Sequence, residues 1–231
     1  MIRVIKSADR YNANMGWLDA RWHFSFGDYH DPKNLHFSSL RVFNDDWIAG
    51  GGGFGLHPHR DMEIITVVLE GELRHKDSLG NSDTLKPNEV QVMSAGRGIN
   101  HAEFNESSSD RLHLMQIWIL PRSKANEPRW EQKRFDPADR VGKLQALVSD
   151  GSQPGTLAID QDAAIYRTTL PAGQSVDHDG SGRRVYVFVI DGDVTINGTP
   201  LAKGDQGRIE AEESLKITAS KDADVLVIDL P

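Results

Sequence analysis

The chain has 231 residues, enough for one large all-β domain or two small ones, each with a real core. Lys and Arg number 26 against 34 Asp and Glu, and the resulting net charge of −8 gives a phosphate backbone no general attraction, which argues against direct nucleic-acid binding. There is no cysteine, so disulfides, thiolate metal sites and cysteine nucleophiles are excluded; no run approaches the roughly 18 apolar residues of a membrane span, and "MIRVIKSADRYNANMG" lacks the apolar core of a secretory signal, which makes the cytoplasm the default location.

In chain order, the first marked stretch is aromatic, "GWLDARWHFSFGDYHDP". Trp17, Trp22, Phe24 and Phe26 read as core fillers in preference to the mouth of a pocket. His23, His30 and His36 have no partner at ligand spacing and read as surface or packing residues. Gly50 to Gly53 lacks the Lys-Ser/Thr of a phosphate loop, so a flexible entry to the next strand is expected. Short runs rich in Val, Ile and Thr then follow, bounded by turn residues: "MEIITVVLEG", "EVQVMSAG", "RLHLMQIWIL", "RRVYVFVIDG", "DVTINGT" and "DADVLVIDLP". "SLGNS" and "INGTP" carry turn chemistry. One short helix is expected near "DPADRVGKLQAL"; the rest is β.

The chain repeats itself. "VVLEGELRHKD" resembles "FVIDGDVTING", with Gly71 aligned to Gly192 at an offset of 121. "LMQIWILP" and "VLVIDLP" close the two halves alike. Two tandem barrels or jelly rolls are expected, over residues 1–135 and 136–231. The same offset carries His57 to His178, His59 to Gly180 and Glu63 to Arg184. The second half is therefore a degenerate copy, expected to hold no metal.

"GLHPHRDMEI" presents His57 and His59 two residues apart, on one side of a strand. "GINHAEFN" repeats the spacing with His101 and Glu103. Three neutral imidazoles and a carboxylate suit a divalent first-row metal, and an octahedral ion so held keeps two open positions. Glu63 competes as the carboxylate. It shares the parity of His57 and His59, but a turn at Arg60 and Asp61 would reset the register, whereas Glu103 sits two residues from His101. We therefore prefer Glu103 as ligand and expect Glu63 to orient an imidazole. His75 and His113 read as structural histidines before pocket groups. Gly96, Arg97 and Gly98 read as a tight turn, with Arg97 free to meet an anion.

Gly51-x₅-His57-x-His59-x₃-Glu63 and Gly98-x₂-His101-x₃-Asn105 resemble the two motifs of the cupins. Within them "HPHRDMEIITVVLEG", "MSAGRGINHAEFN" and "LHLMQIWILPRSKANEPRWEQ" resemble the pirin family, and "GWLDARWHFSFGDYHDP" resembles its bacterial branch. The departures are small: seven residues separate Glu63 from Gly71, and Gly96 stands where general cupins place proline. The resemblance implies an all-β bicupin, with one mononuclear metal in the N-terminal barrel on His57, His59, His101 and Glu103. It implies Fe(II) first, with Mn, Ni, Co, Cu or Zn as alternatives.

It further implies two activities. One is a dioxygenase of the quercetin 2,3-dioxygenase type, acting with O₂ on a small aromatic or enol-bearing substrate, with Glu103 as its general base. The other is an iron redox-sensing regulator acting through a protein partner. A metal-free structural bicupin is the third reading.

Overall fold

A computed structural model describes all 231 residues. The first twelve strands are β1 (Ile2–Ile5), β2 (Tyr11–Asn14), β3 (Leu18–Trp22), β4 (Leu40–Ile48), β5 (Gly53–His59), β6 (Glu63–Glu70), β7 (Leu73–Asp77), β8 (Ser82–Leu85), β9 (Glu89–Ser94), β10 (Ile99–Phe104), β11 (Leu112–Ile119) and β12 (Arg129–Arg134). The remainder are β13 (Gln145–Ser149), β14 (Leu157–Ala158), β15 (Ala164–Leu170), β16 (Ser175–Asp179), β17 (Arg184–Asp191), β18 (Asp193–Ile196), β19 (Thr199–Ala202), β20 (Gln206–Glu210), β21 (Ser214–Ala219) and β22 (Ala223–Leu230). There is no α-helix. The helix expected near "DPADRVGKLQAL" is a single 3₁₀ turn, Pro137–Arg140, capped by the Asp136 side chain on the Ala138 N–H. Val141 beyond it is already extended, and strand β13 claims Gln145 onward. No helix is long and apolar enough to cross a membrane.

The strands form two barrels with the same plan. In the first, one sheet runs β12-β9-β6-β11-β4-β3-β2 and faces a second, β5-β10-β7-β8. In the other barrel, β1-β20-β17-β22-β15-β13 matches the first order strand for strand, and β16-β21-β18-β19 matches the second. The offset of 121 maps β6 onto β17 end to end. This is the bicupin architecture.

The compact units do not follow the chain linearly. One comprises Tyr11–Phe135 with Leu157–Gln161; the other comprises Met1–Arg10, Asp136–Thr156 and Asp162–Pro231. A division at 135/136 is thus crossed twice. The first crossing is β1, which lies on β20 from Ile2↔Ile209 to Ile5↔Gln206 and takes the edge place that β12 takes on β9. The second is the segment around Asp160, whose carboxylate accepts from Ser123 N at 2.9 Å and Asn126 Nδ2 at 2.7 Å. Unpaired strand edges and unsatisfied loop amides look for any partner, and sequence distance does not limit the choice.

Inside the first barrel the packing is layered. Val68, Leu73, Leu85, Leu112, Leu114 and Ile48 fill one end. Ile64, Met93, Ala95 and Ile99 fill the other. Between them runs a polar row in cross-strand register: Asn44, Gln116, Thr66 and Gln91, on β4, β11, β6 and β9. All four are buried. A buried polar layer is costly unless it is bonded or has a ligand to serve. The second barrel has one continuous apolar core instead, which includes Leu215 and Ile217.

Candidate metal centre

The site is built on two neighbouring strands. β5 and β10 are antiparallel and place His57 directly opposite His101, with His59 opposite Ile99. The Nε2 atoms of His57 and His101 lie 3.1 Å apart. Ring centroids are 4.5 Å apart for His57 and His101, and 4.8 Å for His59 with either one. A break in register between His101 and Glu103 still leaves Glu103 inside the barrel. Potential ligand atoms form two groups, each within 4.8 Å: His57, His59 and His101, and His75, His101 and Glu103. The four residues expected from strand parity therefore share one face of one sheet.

The donor atoms suit a cation. His57 Nδ1 donates to the Gly55 carbonyl at 2.7 Å, which leaves Nε2 as the basic nitrogen. Nε2 of His59 and Oε1 of Glu103 are buried without a hydrogen-bond partner. The other oxygen of Glu103, Oε2, accepts from Gln116 Nε2 at 2.9 Å, and Gln116 Oε1 in turn accepts from Thr66 Oγ1 at 2.9 Å. Part of the polar row thus fixes the carboxylate and points its free oxygen away. Free, buried, neutral donors with fixed partners behind them are what a metal ligand set requires.

Electrostatics agree. Burial, with the neighbouring imidazoles adding, lowers the pKa of His59 to about 3 and that of His101 to about 3. Both rings are therefore neutral and free to coordinate at pH 7. Burial raises Glu103 above its usual range, opposed by His75 and Gln116. In the unfolded chain these histidines titrate near 6.5, so acid protonates the unfolded state first. The stability of the metal-free protein is expected to fall as pH drops from about 6.5 towards 3, the window between those two values. Thermal melts of EDTA-treated protein across that range check this, and a flat profile would contradict it.

Other expectations change. Glu63 does not orient an imidazole: its carboxylate accepts from Ser94 Oγ at 2.5 Å. Asp61, at φ 48°, turns the chain after β5, and β6 then joins the opposite sheet. The imidazole-orienting role falls to the Gly55 carbonyl for His57. His75 is bonded to Asp77 through Nε2 at 3.2 Å, stacked on Trp130, and keeps a buried, unpartnered Nδ1 beside His101. It is half structural and half part of the site. His113 is fully structural, bonded to Asp45 at 2.6 Å and stacked on Trp47. Arg97 is occupied by Glu127 rather than by an anion.

In the glycine run, Gly50 and Gly53 have a steric reason, and Gly51 a left-handed φ of 73°. A Cβ on Gly53 would lie 2.3 Å from the Glu103 carbonyl oxygen. Gly53→Ala is expected to push β5 off β10, costing about 1–3 kcal/mol in urea unfolding and loosening metal retention. An unchanged midpoint would contradict this.

A cavity of about 240 Å³ opens onto the donors, walled by Phe26, Phe54 and Trp118 and by Asn44, Asp46 and Gln116. Phe26, expected in the core, lines it. Asn44, Asp46, Phe54, Gln116 and Trp118 were not distinguishable in the sequence, because a polar residue facing a cavity alternates along a strand like one facing water.

In the second barrel, His178 sits opposite Leu215 on β21, where the first barrel has His57 opposite His101. Leu215 and Ile217 thus stand where His101 and Glu103 stand, and His178 is held by Asp229 at 2.8 Å.

Comparison with known proteins is consistent throughout. The family model described as Pirin matches residues 4–119, and one described as the quercetinase C-terminal cupin domain matches 146–230. The chain is 48% identical over 233 aligned residues to a quercetin 2,3-dioxygenase of Escherichia coli, covering 100% of this chain and 99% of that one. It is 43% identical to a pirin-like protein of Caulobacter vibrioides, covering 94% of each. The crystal structure of the bacterial pirin YhhW from Escherichia coli in complex with nickel(II) superposes with a TM-score of 0.95 at 46% identity, covering 100% of this chain and 99% of that one.

Proposed function

Because the chain belongs to the pirin family, we propose that it is a metal-dependent dioxygenase of the quercetin 2,3-dioxygenase type, acting with O₂ on flavonol-like or other enol-bearing substrates. One observation carries the reading: His57, His59, His101 and Glu103 all line one aromatic-walled cavity, with Nε2 of His59 and Oε1 of Glu103 unpartnered. A metal-sensing regulator would need the donors but not the cavity. The relatives' names support the same choice.

In this reading His57, His59, His101 and Glu103 hold a single divalent metal. Fe(II) is our first choice; nickel, named in the structure of the relative, is the leading alternative. When bound, the ion supplies Lewis acidity that lowers the pKa of an enol hydroxyl. Glu103 would loosen from the metal and its Oε1, which has no other partner, would accept that proton as general base. Gln116 keeps the other carboxylate oxygen in place during the transfer. Phe26, Phe54 and Trp118 flank a planar ring and exclude water. The location proposed is the cytoplasm.

The test is turnover. Protein loaded anaerobically with Fe(II), Ni(II), Mn(II) or Co(II) is mixed with quercetin and O₂. Loss of flavonol absorbance with release of CO is expected for at least one metal. No turnover with any of them, of quercetin or of a one-ring 3-hydroxy-4-pyranone, overturns the proposal.

A further inference from the structure

The cavity contains two polar groups that the ligand set leaves unused. Asn44 and Asp46 both lie on β4, two residues apart and so on the same side of the strand. β4 belongs to the sheet facing β5 and β10, so these groups approach the cavity from the wall opposite the histidines. Each residue is only 3% exposed. Oδ1 of each is buried without a hydrogen-bond partner. Their neighbour in the polar row, Gln116, is fully engaged by Thr66 and Glu103. Gln116 lines the same cavity, so among its hydrogen-bond acceptors outside the ligand set the Oδ1 atoms of Asn44 and Asp46 are the ones left open.

A buried acceptor without a partner costs about 1–3 kcal/mol, and two adjacent ones facing the same void need an occupant that donates hydrogen bonds. We propose that Asn44 and Asp46 form a hydroxyl-recognition subsite, and that the substrate is a compact enolone carrying a hydrogen-bonding hydroxyl at the end away from its chelating oxygens. This rests on the enol-binding reading above and adds to it a specificity at the opposite wall. Size supports compactness. At about 240 Å³ the cavity falls below the roughly 300–1,000 Å³ usual for sites enclosing drug-sized ligands, so it encloses one ring with short substituents. Three aromatic side chains suit the faces of that ring.

A matched pair of ligands isolates the subsite. 5-Hydroxy-2-hydroxymethyl-4-pyranone and 5-hydroxy-2-methyl-4-pyranone share one chelating enolone and differ by a single hydroxyl opposite it. Their binding to nickel-loaded protein is measured anaerobically by calorimetry. The hydroxymethyl ligand is expected to bind the wild type about fivefold more tightly, the effect of one net hydrogen bond. In Asn44→Leu and Asp46→Leu that preference should shrink to less than about twofold, while affinity for the methyl ligand and nickel content are unchanged. Asp46→Asn, which keeps a polar group, should retain part of the preference. The leucine variants should melt no lower than the wild type, because an unpartnered acceptor has no bond to lose; a purely structural residue would behave oppositely. If a leucine variant fails to fold, the alanine variant at the same position is read in the same way. Equal affinities in the wild type, or a preference that survives both leucine variants, overturn the subsite while leaving the enolone reading intact. If neither pyranone binds the nickel-loaded protein, the enolone reading itself fails, and the subsite with it.

Discussion

His101→Ala is expected to empty the metal centre, lowering metal content after dialysis from about one ion per chain to under about a tenth of that. His101 is chosen because it belongs to both groups of donor atoms. It faces His57 across the β5–β10 ladder, with ring centroids 4.5 Å apart, and lies 4.8 Å from His59 and 5.4 Å from His75. Its removal leaves the His57–His59 pair separated from Glu103, and two imidazoles of one strand do not hold a divalent ion against a chelator. The fold should survive, because β10 keeps its backbone pairing with both β5 and β7. The melting temperature of the metal-free variant should therefore stay close to that of metal-free wild type. The difference should appear when metal is added: the wild type gains about 2.7 kcal/mol at a hundredfold excess over Kd, and the variant gains almost nothing. Elemental analysis and paired thermal melts read both quantities. Full metal retention by the variant would contradict the assignment of the centre.

The second large effect is expected at Glu103. Glu103→Gln preserves shape and a hydrogen bond to Gln116 but cannot accept a proton. Turnover should fall by about 10²- to 10⁴-fold, the usual contribution of a positioned general base. Metal retention should weaken but persist, since three imidazoles remain. The pH profile separates the two roles. In the wild type, activity should decline as pH falls far enough to protonate Glu103, because the base is then lost. In the variant that acid limb should disappear. A variant that keeps more than half of wild-type turnover would show that Glu103 is a ligand only, and the proton acceptor would have to be sought elsewhere.

Strand periodicity made much of this readable. Period 2 put His57 with His59, and His101 with Glu103, on one side of their own strands, and the pairing of β5 with β10 brought the two pairs together. The repeat at an offset of 121 similarly announced a second barrel, and the matching of β6 to β17 follows from it. The turn at Arg60 and Asp61 was legible as well, and beyond it Glu63 lies on β6 in the opposite sheet. What Glu63 does was not legible. Its partner Ser94 lies across β6 and β9, and nothing local to "RDMEI" indicates that strand as its neighbour. The edge place of β1 on β20 is a similar case, joining residues about 200 positions apart.

The sequence by itself determined the two barrels and the side of its strand on which each candidate ligand lies, because backbone pleating is a local property and ties each residue's direction to its parity. Only the tertiary structure decided what each buried polar group meets. Asn44, Asp46, Gln116 and Asp45 are all polar residues in strands, yet Gln116 braces a carboxylate, Asp45 holds a structural histidine, and Asn44 and Asp46 line the cavity. The physical reason is that hydrogen bonding depends on distances of about 3 Å between groups far apart in sequence. Those distances are set by how two sheets close on one another, which no single strand encodes.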